Sequence, residues 1–158
     1  MAFTMVSSDF GVPEGVAVTN TKLMANGDTI FTIANGPIKI LELLSICQTT
    51  NDATASTVQY SATPTLGGDA TTFSAATGGI GSMEAGSTIR LNMTALNTAP
   101  DIATDTANPP ILGGVQTQGI IVGAGVIKLV IGGGSTTGTW QHHLRYAPMA
   151  PNVTVTGS

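Results

Sequence analysis

The chain has 158 residues, enough for one domain with a core of its own, and only 9% of them are charged, against about 25% in an average soluble protein. A net charge of −4 with 42% hydrophobic residues excludes the highly charged, weakly apolar class of disordered chains. Its only cations are Lys22, Lys39, Arg90, Lys128 and Arg145, too few and too scattered for the basic stripe that nucleic-acid binding needs.

Period-2 alternation and turn residues then organise the chain. Val16-Ala17-Val18-Thr19-Asn20 starts a strand, and Asn26-Gly27-Asp28 is a tight-turn signal. Residues 29–34 form the next strand, closed by Asn35-Gly36-Pro37. The longest apolar run, residues 38–47, follows. A helix competes for it, but the Asn-Gly-Pro entry and β-branched ends favour a strand buried on both faces. Strict alternation puts Ile38, Ile40, Leu44 and Ile46 on one face and Leu41, Leu43 and Cys47 on the other. Glu42, within this run, is expected to pair with Lys39 or Arg90.

Residues 57–63 read as a strand ended by Pro64 and the Leu66-Gly67-Gly68-Asp69 turn, and residues 70–81 as a small-residue loop, with one short turn of helix as the alternative within it. Residues 87–94 alternate, with Ile89, Leu91 and Met93 on one face. Residues 95–110, rich in Asn, Asp, Thr and Pro, read as a long loop. Three strands close the domain, at 120–122, 126–131 and 139–146, the last two joined by a Gly-rich hairpin connection, residues 132–138. Short strands with Gly/Pro-rich turns and no long helix predict an all-β fold, a β-sandwich of jelly-roll-like form. The expected organisation is an N-terminal arm (1–15), one sandwich domain (16–146) and a C-terminal tail (147–158), the two ends extended and punctuated by Pro13, Pro148 and Pro151.

Signals for chemistry are sparse. Adjacent residues of a strand face opposite ways, so His142 and His143 do not share one metal ion, and no cysteine cluster completes a shell. Trp140, His142, Leu144 and Tyr146 should face one way, and Gln141, His143 and Arg145 the other. Cys47, the single cysteine, reads as a small buried hydrophobe. Most acids lie in turns, where they serve turn geometry. The Asp101-Ile102-Ala103-Thr104-Asp105 stretch lacks the ligand density of an EF-hand loop, and the Gly123-Ala124-Gly125 and Gly132-Gly133-Gly134 stretches complete no phosphate-binding fingerprint. No cofactor, no metal and no catalytic residue is expected. The opening Met1-Ala2-Phe3-Thr4-Met5 has no leader character, and the apolar region 120–131 is too short and interrupted to span a membrane.

The most distinctive stretch is Thr137-Gly138-Thr139-Trp140-Gln141-His142-His143-Leu144-Arg145-Tyr146-Ala147-Pro148. With the Gly-Asp-Thr-Ile-Phe-Thr-Ile strand, the Gly-Pro and the long aliphatic strand of residues 27–47, it resembles the small head, or capsid decoration, proteins of tailed bacteriophages. The resemblance implies a β-sandwich that binds the outside of an assembled head, commonly as a homotrimer, with the major capsid protein as partner. It implies a chain made in the host bacterial cytoplasm and carried on the virion, with no catalytic residues to transfer. Trp140, Leu144 and Tyr146 are the packing candidates. His143, Arg145 and the terminal arms are the candidate contact surface. A tail or tail-fibre component binding host carbohydrate is the alternative, and it needs an exposed aromatic cluster that one Trp, two Tyr and four Phe hardly supply.

Overall fold

The computed structural model describes residues 15–103, 119–134 and 136–158, and among these it contains strands and no helix. In chain order they are β1 (Val16–Leu23), β2 (Thr29–Ala34), β3 (Ile38–Cys47), β4 (Ser56–Pro64), β5 (Thr71–Thr72) and β6 (Thr88–Arg90). Then come β7 (Asp101–Ala103), β8 (Ile120–Val122), β9 (Gly125–Gly133), β10 (Thr139–Pro148) and β11 (Thr154–Gly157). They build two antiparallel sheets, one ordered β1-β10-β3-β6-β7 with β8 also on β3, the other β11-β2-β9-β4-β5. The expected all-β sandwich is the fold. Pairings β1·β10, β2·β9, β3·β8 and β4·β5 nest inside one another like the rungs of one long hairpin, rolled so that β10 meets β3 and β9 meets β4.

The inner faces meet in a core of Ile30, Phe31, Ile38, Ile40, Leu43, Val58, Tyr60, Ile127, Leu129 and Trp140, all fully buried. Strand β3 departs from strict alternation. Arg145 pairs with Glu42 and Tyr146 with Ile40, so Leu41 is an extra, bulged residue without a partner on β10. A bulge flips the faces of everything after it. Ile38 and Ile40 point inward, but so then do Leu43, Ser45 and Cys47, while Leu44 and Ile46 sit half-buried on the outer face. The expectation that Leu44 and Ile46 share the face of Ile38 and Ile40 is therefore corrected, as is that of a strand buried equally on both faces.

Other expectations need correction as well. The Gly-rich stretch 132–138 is no hairpin, because β9 and β10 belong to different sheets and the chain crosses the sandwich there. Ile89, Leu91 and Met93 are buried as the alternation requires, but the ladder ends at Arg90. Within the expected loop 95–110, residues Asp101–Ala103 form β7 against β6; residues 104–110 lie outside the described residues. So does the expected N-terminal arm up to residue 14. At the other end, the expected extended tail is tied into the fold: β11 pairs residue by residue with β2, and Val153 is buried. Alternating valines and threonines supply a β-prone edge, and chain ends stay loose only where nothing anchors them.

Free sheet edges invite unwanted pairing, and side chains occupy several of them here. Along β4, Ser74 Oγ and Thr77 Oγ1 accept the N–H groups of Tyr60 and Val58 at 2.9 and 2.8 Å. At the seam between β1 and β11, Asn20 Nδ2 donates to the carbonyls of Ile30 and Ser158 at 2.9 and 2.6 Å. A buried Asn51 fixes the return from β3. Its Oδ1 accepts the Trp140 indole N–H at 3.0 Å, its Nδ2 donates to the Ile80 carbonyl at 2.7 Å, and its backbone N–H donates to Met83. That amide fills the space a side chain at Gly138 would need.

Replacing Asn51 by alanine strands the buried Trp140 N–H and leaves the Ile80 carbonyl with only the long bond from the Met83 N–H. Asn51→Ala is expected to cost about 2–4 kcal/mol by equilibrium denaturation. A cost below about 0.5 kcal/mol, the usual range for surface changes, would contradict this assignment.

Candidate functional site

Three places combine polar or exposed apolar groups. The first lies inside the core. His142 of β10 and Ser45 of β3 are directly paired in one sheet, and Tyr60 of β4 reaches across from the other. Ser45 Oγ stands 2.8 Å from His142 Nδ1 and 2.9 Å from the Tyr60 hydroxyl. The separation suits a nucleophile and its base, but all three side chains are fully buried, and none lines the groove described below. A reacting Ser must meet its substrate, so this arrangement clamps the two sheets together instead. The neutral triad carries three hydrogens and makes two links, so one donor is left over within it; His142 Nε2 has no partner. Desolvation, aided by the positive charges of His143 and Lys22, pushes the His142 pKa down from 6.5 to about 4. Burial raises that of Tyr60 to about 12. Both groups are neutral across the physiological range.

The second place is the outer face of the six-stranded sheet. Cross-strand pairing lays out one row of Thr19, His143, Leu44, Arg90 and Asp101, and beside it Ala17, Arg145 and Glu42. Glu42 pairs with Arg145 at 3.6 Å, both about two-fifths exposed, and not with Lys39 or Arg90. Arg90 instead meets Asp101 at 3.3 Å, and Asn92 Nδ2 donates to the same carboxylate. The bulge explains this exchange, because it turns Glu42 outward directly opposite Arg145. His143 Nε2 lies 3.1 Å from Gln141 Oε1. Trp140, Leu144 and Tyr146, the packing candidates, are buried on the inner side of β10, whereas His143 and Arg145, the contact candidates, stand on this outer face. Cys47 is buried, its thiol directed at the carbonyls of Thr49 and Met83, and burial raises its pKa.

The third place is the side of the sandwich where β5 and β8 approach each other. A groove of about 520 Å³ lies there, walled by Pro64, Thr72, Phe73, Leu96, Ile120 and Val122 among others. Two strongly exposed large apolar side chains line it, Leu96 at 64% and Ile121 at 62%; Leu66, at 91% the most exposed among the described residues, lies in the adjoining turn. Leu66 sits in the β4–β5 turn between the lining residues Pro64 and Gly68. Asp69 is the one charged residue in the lining among the described residues. Exposed apolar side chains at a groove are a common feature of contact sites.

Sequence reasoning reached His142 and Trp140 but missed Ser45, Tyr60, Asn51 and the groove. The lone hydroxyl within Leu43-Leu44-Ser45-Ile46-Cys47 was a usable signal for the first, and an isolated Leu66 between Thr65 and Gly67 for the last. Comparison with protein-family models, with curated proteins and with solved structures finds no match to this chain.

A depressed histidine pKa carries a definite sign. Below pH 6.5 the unfolded chain takes up a proton that buried His142 refuses. Stability from this group is therefore complete above pH 6.5 and declines as pH falls toward about 4. The full loss is about 3 kcal/mol. Denaturation between pH 7 and 4.5 should show His142→Leu losing clearly less stability than the wild type over this interval. Parallel pH profiles for the two proteins would contradict the buried neutral imidazole.

Proposed function

We propose that this chain is a non-catalytic structural component of a virus particle, a capsid decoration protein that binds the outer surface of a tailed-phage head and stabilises the shell. The observation that carries the reading is the pair of exposed apolar side chains Leu96 and Ile121 lining the groove, with exposed Leu66 in the adjoining turn, on a protein with so few charges to desolvate on docking. Three further points support it. The 137–148 and 27–47 stretches resemble that family. The strand orders β1-β10-β3 with β8 alongside, and β2-β9-β4-β5, suit a jelly roll, a form that recurs in viral shells and in lectins; fold alone assigns no function. The two ion pairs of the outer face, Arg90 with Asp101 and Arg145 with Glu42, are matched within the chain.

In this reading the major capsid protein is the partner, a homotrimer on a local three-fold position is the assembly, and the virion head is the location. Binding only to the assembled lattice stabilises that lattice by mass action, and many copies acting together make modest contacts sufficient. A carbohydrate-binding tail component is disfavoured by one observation. Every aromatic ring among the described residues, Phe31, Tyr60, Phe73, Trp140 and Tyr146, is buried, so none offers a platform for a sugar.

Purified chain should co-sediment with heads that lack it, saturating at a fixed number of copies per shell. Ile121→Asp combined with Leu96→Asp should weaken this binding tenfold or more, as loss of about 1.5–3 kcal/mol per buried aliphatic side chain requires, with an unchanged thermal midpoint. Wild-type binding by the double variant would move the contact away from the groove, and no binding by the wild type would defeat the reading.

A further inference from the structure

Two Asn-Gly dipeptides occupy corners where the chain passes from one sheet to the other, Asn26-Gly27 between β1 and β2 and Asn35-Gly36 between β2 and β3. Such dipeptides are the usual places where an asparagine amide is lost, because glycine brings no side chain to hinder its own nitrogen from reaching the preceding carboxamide. Whether the reaction runs depends on whether nitrogen and carboxamide are free to meet.

At the first corner neither is. The Gly27 N–H donates to the Leu129 carbonyl at 2.9 Å, and Asn26 Oδ1 accepts the Ile131 N–H at 3.0 Å. These bonds hold both reacting groups against β9. The second corner differs. The Gly36 N–H donates to no acceptor among the described residues, and Asn35 is exposed, its carboxamide held by one bond, from Nδ2 to the Asn152 carbonyl at 3.2 Å. Asn35 also sits at φ 65°, a left-handed conformation that is uncommon outside glycine and costs free energy.

We propose that Asn35 is a site of spontaneous modification, converting to aspartate and isoaspartate in the folded protein while Asn26 is preserved. The Gly36 nitrogen gives its proton to solvent base and attacks Asn35 Cγ. A new bond from that nitrogen to Cγ closes a succinimide ring, the bond from Cγ to Nδ2 breaks, and ammonia leaves. Water then opens the ring at either carbonyl, giving aspartate or isoaspartate. No electrons are exchanged with an outside reagent.

The product has a structural consequence at the far end of the chain. Either acid replaces the Nδ2 donor by a carboxylate oxygen facing the Asn152 carbonyl. Isoaspartate also inserts a methylene into the backbone of a crowded corner, where even a Cβ on Gly36 would stand 2.9 Å from Ala150 Cβ and 3.0 Å from Val153 Cγ2. The turn before β11 is pushed away, and with it the ladder that begins at the Ala34–Thr154 pair. The modification is thus a slow, irreversible loosening of β11.

The test is to hold the full chain in warm, mildly alkaline buffer, folded or in denaturant, and to map both sites by peptide mass spectrometry. In the folded chain Asn35 should convert several-fold faster than Asn26, and the difference should vanish in denaturant. Amide hydrogen exchange in β11 should quicken as conversion proceeds and be fast from the outset in Asn35→Asp. Equal or faster loss at Asn26 in the folded chain would overturn the site. Wild-type exchange in β11 of Asn35→Asp would overturn the coupling.

Discussion

The bulge at Leu41 decides which side chains this sandwich buries. Continued alternation from Ile38 and Ile40 would send Glu42 into the core and turn Ser45 and Cys47 toward solvent. One extra residue on β3 reverses this. Glu42 emerges opposite Arg145, where an exposed ion pair costs little, and Ser45 enters to bond His142 and Tyr60. A buried, unpaired carboxylate would cost several kcal/mol. The polar clamp between the sheets and the outward Glu42–Arg145 pair thus follow from one local irregularity.

Strand existence and type were legible because the signals were strong. Residues 29–34, 57–63 and 126–131 are short β-prone runs bounded by turn residues, and each lies in a strand. The inner and outer faces of β10 follow directly from its alternation. What could not be read were features decided by distant partners. Leu41 is bulged because of its register against Tyr146 and Arg145, about a hundred residues away in sequence, and nothing local marks it. The 132–138 connection has the composition of a hairpin, yet the sheet to which β10 belongs is chosen by β1 and β3. The C-terminal valine–threonine strand looked like a tail because its ladder partner among the described residues, β2, lies far upstream.

The candidate site was partly legible for the same reason. His142 and Trp140 could be placed inside, but their hydrogen-bond partners, Ser45 and Asn51, come from other parts of the chain. The groove is assembled from three separate segments, around Leu66, Leu96 and Ile121, none of which is unusual alone. The buried polar anchors and the groove with its exposed apolar side chains lie in different parts of the molecule. The buried clamp and the Asn51 anchor consist of fully satisfied or neutral groups that hold the sheets in one relative position. Leu96 and Ile121 stand exposed at the groove, where removing them from water would strand no charge of their own.

The most direct measurement is a cryo-electron microscopy reconstruction of virions that carry this chain. The account predicts regular density on the outer head lattice into which the sandwich fits, with the Leu66, Leu96 and Ile121 side turned toward the shell. Density confined to the tail, or none assignable to this chain, would contradict it.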